Sequence, residues 1–296
     1  MRHPLFVCLA ALPFLHAQTP TFQTGVSQVR VDAEVFSRGA PIADLRPEHF
    51  LVKDNGRPQK VVHVSQGNEP LDLILLFDIS GSMEKTVERI AASARKSLGQ
   101  LRPGDRVAVM TFAGRPRLLS GFTGDFEAVQ RTIENDILDE PFEGATRIWD
   151  AADESARVHF RQGRNARRRA VVMITDNIGQ KGRRDEDESL ESLWEAGAVL
   201  SAVVIGNPAF ARREKRAIHV NRLAGETGGD VIESEDPGDA FERMVRRIRS
   251  RYSIYYEMPQ GHPGEFRKVE VALQGEARRQ HPDARVRARK GYKLPD

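Results

Sequence analysis

The sequence predicts an α/β fold: a doubly wound, mainly parallel sheet with helices on both faces, joined to a small antiparallel β unit built from the two ends of the chain. Three observations predict it. Between residues 71 and 251, short apolar runs alternate with segments of helical period, the pattern of a parallel sheet with crossover helices. Two of the runs, Leu73-Ile74-Leu75-Leu76-Phe77 and Ala170-Val171-Val172-Met173-Ile174, are apolar at every position, as strands buried on both faces require. On either side of that region the chain reads as alternating strands separated by turn residues.

The first 17 residues read as an export signal. Arg2 and His3 give a short positive start, residues 5–15 an apolar run, and Ala17 a small residue at the cut. That run is too short to span a bilayer, and no later stretch is long enough, so no transmembrane segment is expected. The expected location is periplasmic or extracellular. Cys8, the single cysteine, lies inside the signal, which excludes disulfides, thiolate metal sites and cysteine nucleophiles from the mature chain.

Residues 24–70 form an N-terminal β segment. Val29, Val31, Ala33 and Val35 share one face of a strand, while Arg30, Asp32 and Glu34 take the other. Phe50-Leu51-Val52 and Val61-Val62-His63-Val64 make two more strands, and Asp54-Asn55-Gly56 supplies the positive-φ residues of a tight hairpin turn. The unit is too small to stand alone.

Residues 71–251 carry the alternating pattern. After the first buried run, residues 84–101 place Val87, Ile90, Ala91, Ala94 and Leu98 at helical spacing. Then follow a strand over 107–112, helices over 125–135 and 148–160, the second buried run, a helix over 190–195 and a strand over 198–205. A short strand at Val231-Ile232 and a helix begun by Pro237 complete a Rossmann-like arrangement. From 252 to 296 strands return, at 252–256, 268–273 and 285–289. Neither flank buries enough by itself, so the C-terminal segment is expected to pair with the N-terminal one.

Lys and Arg outnumber Asp and Glu by 45 to 42, too small a surplus to define a basic protein. The arginines cluster near 161–169, 212–216 and 243–251, with the acidic block Asp185-Glu186-Asp187-Glu188 between them. No nucleic-acid motif accompanies them, so the clusters are expected to be solvated helix faces and loops, and no nucleic-acid partner is expected.

The residues that carry chemistry are Asp78-Ile79-Ser80-Gly81-Ser82, directly after the first buried strand. In open parallel sheets, ligands bind where strand C-termini open into loops. Three catalytic loops have a similar outline, and each fails. A phosphate-binding loop needs glycines where Ile79 and Glu84 stand, despite Lys85-Thr86. A nucleophile elbow needs glycines at Asp78 and Ser82. A D-x-D-x-T phosphatase needs a carboxylate at Ser80. Hydroxyls and carboxylates are instead the ligands of a hard cation, Mg²⁺ or Mn²⁺. Two neighbouring loops offer more of them, at Gly144-Ala145-Thr146 and Thr175-Asp176-Asn177. Taken singly, Asp78, Ser82 and Thr146 also suit loop or helix capping; their gathering on one crest favours the metal.

These residues resemble the von Willebrand factor A domain with its metal-ion-dependent adhesion site. The resemblance spans about residues 71–251 and rests on D-x-S-x-S, the Thr before the third helix and the T-D ending the fourth strand. It implies that Ser80, Ser82 and Thr146 give hydroxyl oxygens to the metal, and that Asp78 and Asp176 act directly or through water. Two positions depart from the family pattern: Asn177 stands where Gly is usual, and Ala145 where Gly-Gly-Thr is common. Asn tolerates the left-handed backbone better than most residues. The whole chain also resembles exported, acidobacterial VWFA-related proteins, through Phe50-Leu51-Val52-Lys53-Asp54-Asn55-Gly56 and the tail Arg289-Lys290-Gly291-Tyr292.

The resemblance implies a metal-dependent binding module whose protein partner presents an Asp or Glu to complete the metal shell. An envelope scaffold with a vestigial metal site is the alternative reading. A metallohydrolase ranks below both, because no His lies near the site residues in sequence, and Glu84 and Glu143 are the nearest acids. No enzyme activity is expected.

Overall fold

Strand Leu71–Asp78 is buried along its whole length, which places it in the middle of a sheet covered on both faces. The computed structural model describes residues 28–163, 166–206 and 218–295. The export signal expected at residues 1–17 lies outside the described residues.

Six strands form the main sheet, in the order Val231–Ser234, Ala198–Ile205, Arg168–Thr175, Leu71–Asp78, Arg106–Phe112, Arg117–Thr123. Numbered along the chain, that order is third, second, first, fourth, fifth, sixth, read from the other edge. The order in which successive strands are laid down therefore reverses between Leu71–Asp78 and Arg168–Thr175, the point where ligands enter sheets of this kind. The sheet is mixed: Arg117–Thr123 runs antiparallel to Arg106–Phe112, while the other pairings are parallel.

Alternate residues of each central strand feed opposite faces. Leu73, Leu75 and Phe77 pack with Val87, Ile90, Phe241, Met244 and Val245, from helices Glu84–Leu98 and Pro237–Arg249. Ile74 and Leu76 pack with Ile148, Ala152, Leu193 and Leu223, from Ile148–Phe160, Glu186–Ala196 and Asn221–Thr227. The helix expected over 125–135 starts at Phe126, with Asp125 as its cap, and passes at Thr132–Asp136 into a π-helical turn. Among the described residues no helix is long and apolar enough to cross a membrane.

The flanks form two further sheets. In one, Tyr252–Glu257 lies antiparallel between Gln28–Ser37 and Val61–Gln66, with Arg285–Ala288 on the outer side of Gln28–Ser37. In the other the order is Gly291–Lys293, Phe266–Leu273, Phe50–Asp54, Arg57–Gln59. Val31, Val35, Phe50, Val52, Tyr252, Ile254 and Tyr256 form a shared core between them. Asn55 and Gly56, at φ 45° and 77°, make the tight turn expected after Asp54.

The clusters near 161–169 and 243–251 are not simply solvated, which corrects the expectation from sequence; the cluster at 212–216 lies outside the described residues. Arg168 and Arg251 are 2% exposed. Arg168 pairs with Asp32 at 3.4 Å and donates to Ile248 O at 2.8 Å. Arg247 and Arg287 both bind Glu34 and Asp230, joining the β unit to the α/β region. Arg106 and Arg167 share the buried Asp72. A buried charge requires a partner; Arg168, Arg247 and Arg287 find theirs across the seam between the two parts of the chain, and Arg106 and Arg167 find theirs within the α/β region.

Candidate functional site

Asp78 ends the first strand fully buried. Its Oδ1 accepts from the Ser80 amide at 2.9 Å, which curls the loop back over the strand end. Its Oδ2 accepts from Thr175 Oγ1 at 2.7 Å, across the point where strand order reverses. Burial pushes the Asp78 carboxyl up to about 6, against the Thr175 and Ser80 hydrogen bonds that favour its charged form, and Asp176 nearby adds to the rise.

Met83 N donates to Ser80 O at 2.9 Å, closing the turn that leads into helix Glu84–Leu98. A side chain on Gly81 would approach Phe142 O to 3.3 Å, so a glycine there lets the 142–146 loop lie close. Ser82 points outward and donates through Oγ to Asp176 Oδ2 at 2.7 Å. Ser80 Oγ lies 3.4 Å from Ser82 Oγ.

Strand Arg168–Thr175 delivers the second set. Thr175 Oγ1 donates to Asp78 and accepts from Asn177 N at 3.0 Å. Asp176 Oδ1 accepts from Ile178 N at 3.1 Å, leaving Oδ2 turned toward Ser82. Asn177 adopts φ 63°, the left-handed backbone that suits the glycine usual at this position in the resembling family. Its side chain then acts as a latch: Oδ1 accepts from Val220 N at 2.8 Å, and Nδ2 donates to Asn221 Oδ1 at 2.9 Å.

The structure thus brings Ser80, Ser82 and Asp176 together, with Ser82 exposed, Asp176 half-buried, Ser80 buried and Asp78 fully buried. Thr146 lies on the adjoining loop, 5% exposed. Its carbonyl accepts from Gln180 N at 2.7 Å, which ties this loop to the one after Asp176. Among the described residues, its hydroxyl makes no hydrogen bond.

Sequence reading missed Asn221 and His219, and it named Thr175 only within the T-D motif, without its bond to Asp78. Thr175 precedes Asp176 and is a plain strand residue by pattern, so only its bond to Asp78 reveals its part. His219 Nδ1 lies 2.9 Å from Asn177 O, and no spacing in the sequence signals that return of the chain.

Among the described residues no three His, Cys, Asp or Glu side chains gather where they could hold a metal ion. A cation at this crest would therefore depend on the serine hydroxyls. The geometry suits one: neighbouring oxygens around octahedral Mg²⁺ lie about 3 Å apart, given metal–oxygen distances of about 2.1 Å. The separations of 3.4 Å and 2.7 Å along Ser80, Ser82 and Asp176 bracket that spacing.

Residues 73–180 match the family model for the von Willebrand factor type A domain. No curated protein matches the chain. Similar solved structures include an aerotolerance-related membrane protein from Bacteroides fragilis NCTC 9343, with multiple mutations to serines. It is 19% identical over 60% of this chain and 98% of that one, at a TM-score of 0.47. A von Willebrand factor type A protein from Catenulispora acidiphila is 13% identical over 93% and 76%, at 0.49. The vWF domain of the type V pili tip protein Mfa5 from Porphyromonas gingivalis is 11% identical over 61% and 95%, at 0.46.

Proposed function

We propose, from the premise that this chain carries a von Willebrand factor type A domain, that it is an exported, metal-dependent protein-binding module. Ser80, Ser82 and Thr146 would hold Mg²⁺ or Mn²⁺ through their hydroxyls, with Asp78 and Asp176 acting directly or through water. A bound cation would supply a coordination position that an Asp or Glu side chain of a partner completes. Asp78 positions the loop through the Ser80 amide, and Thr175 fixes that carboxylate against the fourth strand. Asp176 is held open toward the serines by its bond from the Ile178 amide. The chain's own role is binding, not catalysis. Export rests on the sequence of residues 1–17, and the resemblance to acidobacterial VWFA-related exported proteins on the two flanks.

The observation that carries this reading is the run of three oxygens, Ser80 Oγ, Ser82 Oγ and Asp176 Oδ2, at 3.4 Å and 2.7 Å. The experiment is capture of partners from envelope extract with and without EDTA, using wild type, Asp78→Ala and Ser80→Ala. Partner capture lost with EDTA and in both variants supports the reading. Capture unchanged under all three conditions abandons it.

One observation favours the second reading, an envelope scaffold with a vestigial metal site. Ser82 already donates to Asp176, so these two side chains satisfy each other without an ion. The scaffold reading requires EDTA to leave capture intact.

A further inference from the structure

A cavity lies at the opposite end of the main sheet's strands from the serine crest. It measures about 270 Å³ and opens where strands Arg168–Thr175 and Ala198–Ile205 begin, against the β unit. Along the fourth strand Arg169 and Asp176 are seven residues apart, roughly 23 Å at about 3.3 Å per residue, so this cavity is separate from the serine crest.

Arg30, Arg167, Arg169, Arg289 and Lys293 line it and outnumber the acids Asp32 and Glu195 that line it with them. Arg30 and Lys293 have carboxylate partners, Asp32 at 3.7 Å and Glu195 at 2.9 Å. Arg169 and Arg289 have none within ion-pair distance among the described residues. Arg169 donates only to backbone carbonyls, those of Ala196 at 2.8 Å and Gly163. Arg289 donates to Arg30 O at 2.6 Å and lies over the Tyr292 ring at 4.9 Å. Its Nε is buried with no hydrogen-bond partner.

Burial works against both cations, holding each guanidinium below its ordinary value. Arginine nevertheless remains protonated in proteins, so it cannot escape the cost by losing its charge. Elsewhere along the seam, among the described residues, buried guanidinium groups meet a carboxylate, as Arg168 meets Asp32 and Arg249 meets Asp105. At the cavity, carbonyl dipoles and a ring face replace the counter-ion. Trp194 supplies a flat apolar wall beside them.

We propose that this cavity binds a small organic anion, a phosphate ester or carboxylate with a flat body, its charge between Arg169 and Arg289 and its body against Trp194. The planar forks of two arginines suit a bidentate oxyanion, and the volume lies near the small end of ligand pockets.

The test is calorimetric titration of the full chain with phenyl phosphate and with benzoate, in chloride buffer at fixed ionic strength. Expected is saturable binding of at least one of them to wild type. Affinity should fall at least tenfold in Arg169→Met and in Arg289→Met, and stay unchanged in Ser82→Ala. Each Met variant removes hydrogen bonds to backbone carbonyls together with the charge, so melting without anion checks that it keeps its fold before titration. If either variant fails to fold, Arg169→Lys keeps the charge and loses the fork, and its affinity should fall several-fold. No saturable binding to wild type overturns the proposal, as does equal affinity in the arginine variants. Binding that appears only after removal of residues 295–296 also overturns it, the chain's own carboxylates then being the occupant.

Discussion

Thr175 donates its hydroxyl proton to Asp78 over 2.7 Å, linking the C-terminal ends of the first and fourth strands. The bond is buried and its acceptor is a carboxylate, and a hydrogen bond to a charged group contributes about 1.5–3 kcal/mol. Thr175→Val keeps the shape and removes the donor. It should cost about 2 kcal/mol in urea unfolding, while Thr175→Ser should recover most of that.

Asn177 couples a left-handed backbone to a side-chain latch on Val220 and Asn221. Asn177→Ala meets the left-handed penalty of about 1 kcal/mol and also loses the latch. Asn177→Gly loses the latch alone. Denaturant titration should therefore rank stability as wild type, then Gly, then Ala; an Ala variant as stable as the Gly one contradicts this account.

How far the sequence carried the fold depended on how each residue is used. The unbroken apolar runs of the first and fourth strands were legible because burial on both faces demands them. Strand Arg117–Thr123 was not, because as an edge it is half exposed and Ser120-Gly121 breaks its alternation. Helix Asn221–Thr227 has seven residues with Gly225 inside, too short to show a period. Burial of arginines was illegible for a different reason: the partners of Arg168, at Asp32 and Ile248, are remote in sequence. At the crest, Ser80 and Ser82 were readable because they are near neighbours of Asp78. The contributions of Thr175, His219 and Asn221 depend on chain segments that meet only in the folded molecule.

His159 is fully buried, with Nε2 3.0 Å from Ala170 O and its ring 5.3 Å from Phe122. Burial lowers its pKa from the ordinary 6.5 to about 4, Arg169 adds to the effect and the Ala170 carbonyl opposes it. Between those values the unfolded chain binds a proton that the folded chain does not. The contribution is therefore complete above pH 6.5 and is lost as pH falls toward 4, about 3 kcal/mol in all. Asp78, raised from 3.8 to about 6, acts with opposite sign in an overlapping range. The difference in unfolding free energy between wild type and His159→Gln, measured from pH 7 to 4, isolates the histidine.

Glu34 meets Arg247 at 2.7 Å, Arg287 at 3.3 Å and Arg251 at 3.8 Å while 5% exposed. Glu34→Gln leaves these arginines with less neutralising charge, and breaking a buried pair costs about 3–5 kcal/mol. Since Asp230 still serves Arg247 and Arg287, a loss of about 3 kcal/mol is expected in denaturant unfolding.

The central claim is that Ser80, Ser82 and Asp176 belong to one cation site, and titration of the full chain with Mg²⁺ and Mn²⁺ by calorimetry addresses it most directly. The account predicts saturable binding of one ion per chain, lost in Ser82→Ala and in Asp176→Ala while both variants keep their fold. Absence of saturable binding, or equal binding in those variants, would contradict it.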